Sequence, residues 1–165
     1  MHIRLERPED AKAIGLLTDT AFDGAAHSAG TEARIVEALR AAGVLTLSLV
    51  ADEGGEIIGH AAFSPVEING TPGDWYGLGP VSVLPARQGE GIGQAVIREG
   101  LQRLAALGAA GCVVLGDPAY YERFGYAYDP DLAYGDVPAG YFRRLVLKGP
   151  APKGEVSYHP GFDVT

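Results

Sequence analysis

Apolar side chains alternate with polar ones along some stretches of this chain and recur every three or four residues along others, so strands and helices can be laid out from the pattern alone. A first strand is expected over residues 3–6. Arg7-Pro8-Glu9-Asp10 then opens a helix, with proline and acids in its first turn and Ile14, Leu17 and Ala21 as its buried stripe. Residues 23–30 are small, polar and glycine-containing, a loop, after which Thr31 caps a second helix carrying Ile35, Val36 and Leu39 and stopping near Gly43. Leu45, Leu47 and Leu49 alternate with Thr46, Ser48 and Val50 in a second strand, which Asp52-Glu53-Gly54-Gly55 turns into a third over residues 57–68. Residues 69–74 read as a further loop. The strand that follows, residues 75–84, contains Gly77, Gly79 and Pro80, which predict a bulge or a place where a ligand or another backbone comes close. Downstream, residues 111–115 form a short apolar run, Asp117-Pro118 starts a helix, and strands are expected over 142–147 and near 155–158.

The most informative stretch is residues 81–104. Val81 and Val83 face one way on a strand that Pro85 ends, Gly89, Gly91 and Gly93 follow at alternate positions, and Ile97, Leu101 and Leu104 then mark one face of a helix. Strand, glycine loop and helix in this order turn unpaired backbone N–H groups, at the positive end of a helix dipole, toward one point. Glycine lets an anion approach them closely. A P-loop is excluded, because no lysine follows Gly93 until Lys148. A dinucleotide fingerprint is the weaker fit: its third glycine position falls on Val96 or Gln94, although Asp117 lies at roughly the right distance for a ribose contact. The third possibility is Gln88-x-x-Gly91-x-Gly93 after a Val-x-Val-x-Pro strand, and it closely resembles the acyl-CoA pyrophosphate loop of the GNAT superfamily of N-acyltransferases.

A second motif, at an independent position, agrees. Tyr120-Tyr121-Glu122-Arg123-Phe124-Gly125-Tyr126 resembles the Tyr-Glu-x-x-Gly-Phe signature that closes the CoA-binding half of many GNAT proteins, with Tyr121 at the tyrosine position and Tyr126 in place of phenylalanine. The tail from Gly154 to Phe162 is similar to that of a subgroup of small bacterial members, which extends the resemblance over nearly the whole chain. The resemblance implies an α/β (α+β) fold: one GNAT-like domain over residues 1–165, with a twisted, mainly antiparallel mixed sheet, helices on both faces, and a V-shaped splay between the fourth and fifth strands. It implies acetyl-CoA or another short acyl-CoA as co-substrate, with its pyrophosphate on Gln88, Gly89, Glu90, Gly91, Ile92, Gly93 and Gln94, and its pantetheine arm on the backbone of Val81 and Val83. It gives Tyr121 the role of the general acid that protonates the leaving thiolate. Tyr120, about 100° round the helix, is expected to be structural.

Charge and composition narrow the partners. The 165 residues are 47% hydrophobic, which suits one domain with its own core. A net charge of −8 argues against nucleic acid and anionic membranes and favours an amine acceptor, whether a small molecule or a peptide or protein amino group. The single cysteine, Cys112, lies in an apolar run, so no disulfide framework or cysteine metal site is expected, and the four histidines, His2, His27, His60 and His159, lack ligand spacing. They read as surface or hydrogen-bonded residues, and no metal is expected. Neither a signal peptide nor a membrane span is visible, so the expectation is a cytoplasmic protein, with a homodimer compatible with the sequence. Glu32, Glu67, Asp74 and Asp117 are all candidates for the general base, and spacing selects none of them. A non-catalytic acyl-CoA sensor remains the alternative to an enzyme.

Overall fold

The alternation between residues 45 and 84 folds into an antiparallel meander at the centre of the sheet. β2 (Leu47–Glu53), β3 (Glu56–Ile68) and β4 (Thr71–Val83) pair in sequence, and β1 (His2–Leu5) adds to the outer edge of β2. The computed structural model describes residues 1–26 and 28–165, so the expectation for His27 lies outside the described residues. Two boundaries differ from the sequence reading. β2 begins at Leu47 rather than Leu45, and residues 71–74 belong to β4 rather than to a loop. The second difference has a local cause: Asn69 (φ 54°) and Gly70 (φ 74°) make a two-residue turn with both central residues left-handed, the geometry that matches the twist of a hairpin.

Beyond β4 the chain crosses through α3 (Ile92–Ala106) to β5 (Gly111–Leu115), which runs parallel to β4, and β7 (Phe142–Val146) pairs antiparallel with β5. β8 (Gly154–Tyr158) returns to pair with the end of β3 and, in parallel, with the two-residue β6 (Leu132–Ala133). The sheet is therefore mainly antiparallel, which excludes the all-parallel, doubly wound architecture expected of the dinucleotide alternative.

Helices cover both faces. Val96, Ile97 and Leu104 of α3 are fully buried with Leu49, Ala61 and Phe63, while the expected stripe residue Leu101 is only partly covered. Each such aliphatic side chain contributes about 1.5–3 kcal/mol of transfer free energy. The helix comes close because Gly100 faces Phe63: a Cβ there would lie 2.2 Å from the ring. On the other face, α1 (Ala11–Phe22) and α2 (Glu32–Ala41) bury Ile14 and Val36 against Val50, the residue that points opposite to Leu49 along β2. Thr18 rather than Ala21 completes the buried stripe of α1, its hydroxyl satisfied by the Ile14 carbonyl at 2.7 Å.

The sheet opens in one place. β4 pairs with β5 only from Trp75 to Leu78, while β3 stays paired with Val81, Ser82 and Val83. The β3–β4 register shifts between Ala61/Val81 and Phe63/Leu78, so β4 carries one extra residue at Gly79-Pro80. Beyond this bulge the edge of β4 that would meet β5 is free. This is the splay expected between the fourth and fifth strands. Far from it, Glu6 makes a two-point ion pair with Arg40 (2.8 and 2.9 Å) and accepts a hydrogen bond from Ser48, whose hydroxyl also meets Nε2 of the fully buried His60 at 2.7 Å.

Candidate active site

Two cavities flank the open end of β4. The larger, about 520 Å³, lies between the splay and the start of α3. Gly91 is the residue before that helix, held at φ 83°, a left-handed conformation that costs a non-glycine residue roughly 1–2 kcal/mol. The first backbone bond into the helix runs from the Ala95 N–H to the Gly91 carbonyl, so the N–H groups of Ile92, Gly93 and Gln94 have no acceptor within the helix. They form, with the positive end of the helix dipole, a cradle for an anion. Val81, Val83, Gln88, Gly89, Gly91, Ile92, Gly93 and Gln94 all line this cavity. Glu90 alone of the expected loop residues does not; its carboxylate accepts two hydrogen bonds from Arg87 at 3.0 and 3.2 Å.

α4 (Pro118–Tyr121) closes the cavity from the β5 side. Asp117 caps it by accepting from the Ala119 N–H at 3.0 Å, and Pro118 occupies the first helical position. Tyr121 lines the cavity, its ring admitted by Gly116, where a Cβ would stand 2.5 Å from it. Burial pushes the Tyr121 hydroxyl up to about 12, with smaller contributions from Tyr120 and Asp117, so it is protonated at neutral pH. Tyr120 is not turned away. It packs edge-to-face on Tyr121 at 5.0 Å and sends its hydroxyl to the helix start, 3.0 Å from where a Cβ on Gly93 would be. Arg123 stacks over the Tyr120 ring at 4.7 Å and adds a cation to the cavity wall, whereas Arg87, which also lines it, is held by the carboxylates of Glu53 and Glu90. The sequence reading missed Tyr120, Arg87 and Arg123, because nothing in the spacing alone says that a helix of four residues presents two adjacent rings to one space.

The second cavity, about 380 Å³, opens on the other side of Tyr121. Phe22, Val81 and Tyr121 border both spaces, and Tyr134, Tyr158 and Phe162 supply further walls. Tyr158 stacks against Tyr134 and against Phe162, with ring centroids 4.9 Å apart in each pair. Of the four carboxylates considered for a general base, only Glu32 lines either cavity; Glu67, Asp74 and Asp117 are exposed elsewhere. Cys112 is buried in the core, its sulfur accepting the Tyr126 hydroxyl at 3.1 Å, and burial pushes its thiol up to about 12, which leaves it inert. Among the described residues no group of three His, Cys, Asp or Glu side chains is placed to hold a metal ion. No helix there is long and apolar enough to cross a membrane.

Comparison with known proteins agrees with this fold. Residues 45–128 match the family described as the acetyltransferase (GNAT) domain. The uncharacterized N-acetyltransferase YhbS of Escherichia coli K12 is 43% identical over 127 residues, which make up 76% of this chain and 73% of that protein. A crystal structure of a GNAT family acetyltransferase from Brucella melitensis in complex with acetyl-CoA superposes with a TM-score of 0.88 at 55% identity, covering 98% of this chain and 97% of that one. The crystal structure of YhbS from Escherichia coli in complex with CoA gives 0.90 at 36% identity, covering 99% and 92%.

Proposed function

Because the chain belongs to the GNAT acetyltransferase family, we propose that its larger cavity binds acetyl-CoA and that it transfers the acetyl group to a primary amine in the second cavity, in the cytosol. The observation that carries this reading is the meeting of the two cavities at Tyr121, with a cradle of N–H groups and two arginines on one side and a carboxylate among aromatic rings on the other. The solved relatives that bind acetyl-CoA and CoA support the choice of donor.

Acetyl-CoA brings an activated acyl carbon and a thiol leaving group. The N–H groups of Ile92, Gly93 and Gln94 hold its pyrophosphate, and Gly89 and Gly91 let the phosphates reach the backbone. The free edge of β4 at Val81 and Val83 takes the extended arm as an added strand would be taken and orients the acyl carbonyl. Tyr121 donates its hydroxyl proton to the departing sulfur. With a hydroxyl at about 12 against an ordinary thiol near 8.5, that donation begins as a hydrogen bond and completes as the acceptor nitrogen returns a proton to the tyrosinate. One N–C bond forms and one C–S bond breaks. The ammonium loses two protons, one that restores Tyr121 and one that leaves to solvent.

A panel of primary amines incubated with acetyl-CoA, with thiol release followed by a colorimetric reagent, tests the proposal. Amine-dependent thiol release is the expected result. Acetyl-CoA binding without release for any amine would make the protein an acyl-CoA sensor. Calorimetric binding of NAD in place of acetyl-CoA would overturn the assignment of the larger cavity.

A further inference from the structure

Within the acyltransferase reading of Tyr121, the second cavity has a chemistry of its own. Its walls are aromatic and aliphatic, and among the described residues Glu32 is the single charged one that lines it. Glu32 sits in the first turn of α2, where the helix dipole favours a carboxylate, and one of its oxygens accepts from the Ser28 hydroxyl at 2.6 Å. Among the described residues no lysine or arginine lies within ion-pair distance of it, whereas Glu6, Asp10 and Asp129 each hold an arginine. A partly buried carboxylate, fixed by a neighbour and with no described lysine or arginine beside it, is suited to a cation that arrives from solution. Tyr134 and Tyr158, packed edge-to-face at 4.9 Å, line the same space and give it an aromatic wall.

We infer that Glu32 binds the acceptor's ammonium group, and that the acceptor is a small primary amine with an apolar body. The volume of about 380 Å³ accommodates such a molecule. Its apolar part rests on the aromatic walls, its ammonium on Glu32, and the nitrogen is delivered toward Tyr121, which borders the same space.

The test uses matched probes, butylamine and phenethylamine against butanol and 2-phenylethanol, as ligands of the acetyl-CoA-free protein in calorimetry and as acceptors or inhibitors in the thiol-release assay. The wild-type protein is expected to prefer each amine over its alcohol by about 10- to 100-fold, the range for a charge-assisted hydrogen bond. Glu32→Gln, which keeps the size of the side chain and an acceptor for Ser28, is expected to abolish that preference and raise the amine KM by a similar factor, with acetyl-CoA affinity unchanged. Glu32→Asp should restore part of it. An unchanged amine preference in Glu32→Gln would overturn the assignment of Glu32 even if transfer occurs. Absence of transfer in the wild type, with the Glu32-dependent amine preference intact, would instead overturn the acyltransferase reading and leave the amine site standing. Transfer confined to peptide lysines, with no small amine bound, would contradict the inferred acceptor.

Discussion

The two cavities share three residues and little else. The larger is built from backbone: glycines in left-handed conformations, N–H groups without partners, an unpaired strand edge, and two arginines at its rim. The smaller is built from side chains, rings drawn from four different parts of the chain around one carboxylate. A backbone site recognises a part of a ligand that never varies, such as a pyrophosphate, whereas a side-chain site can be recut by substitution without disturbing the fold. The difference also explains why one cavity is written as a motif and the other is not.

Several changes should separate the two cavities, and the largest expected effect acts on both together. His60 is buried with Nδ1 unpaired and Nε2 on Ser48; burial, opposed by Glu6 and reinforced by Arg40, holds its imidazole down at about 4. The unfolded chain, with an ordinary value near 6.5, binds the proton first, so stability should fall as pH drops from about 6.5 to about 4, by on the order of 3 kcal/mol. Urea denaturation across that range checks this, and His60→Gln should flatten the slope. Binding of either ligand measured in acid therefore reports on the fold.

At neutral pH, Gly91→Val should act on the larger cavity alone. A β-branched residue at φ 83° is strained, and its side chain stands beside the phosphate cradle, so acetyl-CoA affinity should fall at least about tenfold while amine binding persists. Nothing lies within 4 Å of a Cβ at Gly91, so the protein should still fold, which circular dichroism can verify. The smallest effect is expected from Arg123→Ala. It removes one exposed cation and its stacking on Tyr120, and should weaken acetyl-CoA by roughly three- to tenfold, with a shallower dependence on salt.

The contrast between backbone and side-chain sites also decides how much could be read from sequence. Gly79-Pro80 marked the bulge, and the run from Gln88 to Gly93 marked the cradle, because glycine and proline report backbone geometry directly. Tyr121 was legible through a fixed spacing to Gly125. By contrast, Phe22, Tyr134, Tyr158 and Phe162 reach the second cavity from α1, from the turn after β6 and from the C-terminal segment, and no local period links them. Glu32 was one of four equivalent carboxylates until the fold brought it to a cavity and left the other three outside. The Asn69-Gly70 turn is a different case: its signal was present, but the proline and glycine just after it made the start of β4 look like more loop.

The central claim is that chemistry takes place where the two cavities meet, and Tyr121→Phe tests it most directly. With a small amine and acetyl-CoA as substrates, the account predicts a fall in kcat of about 10²-fold or more, the usual contribution of a positioned acid, with the calorimetric Kd for acetyl-CoA changed by less than about threefold. A kcat equal to that of the wild type would contradict it and reduce Tyr121 to a wall between two binding sites.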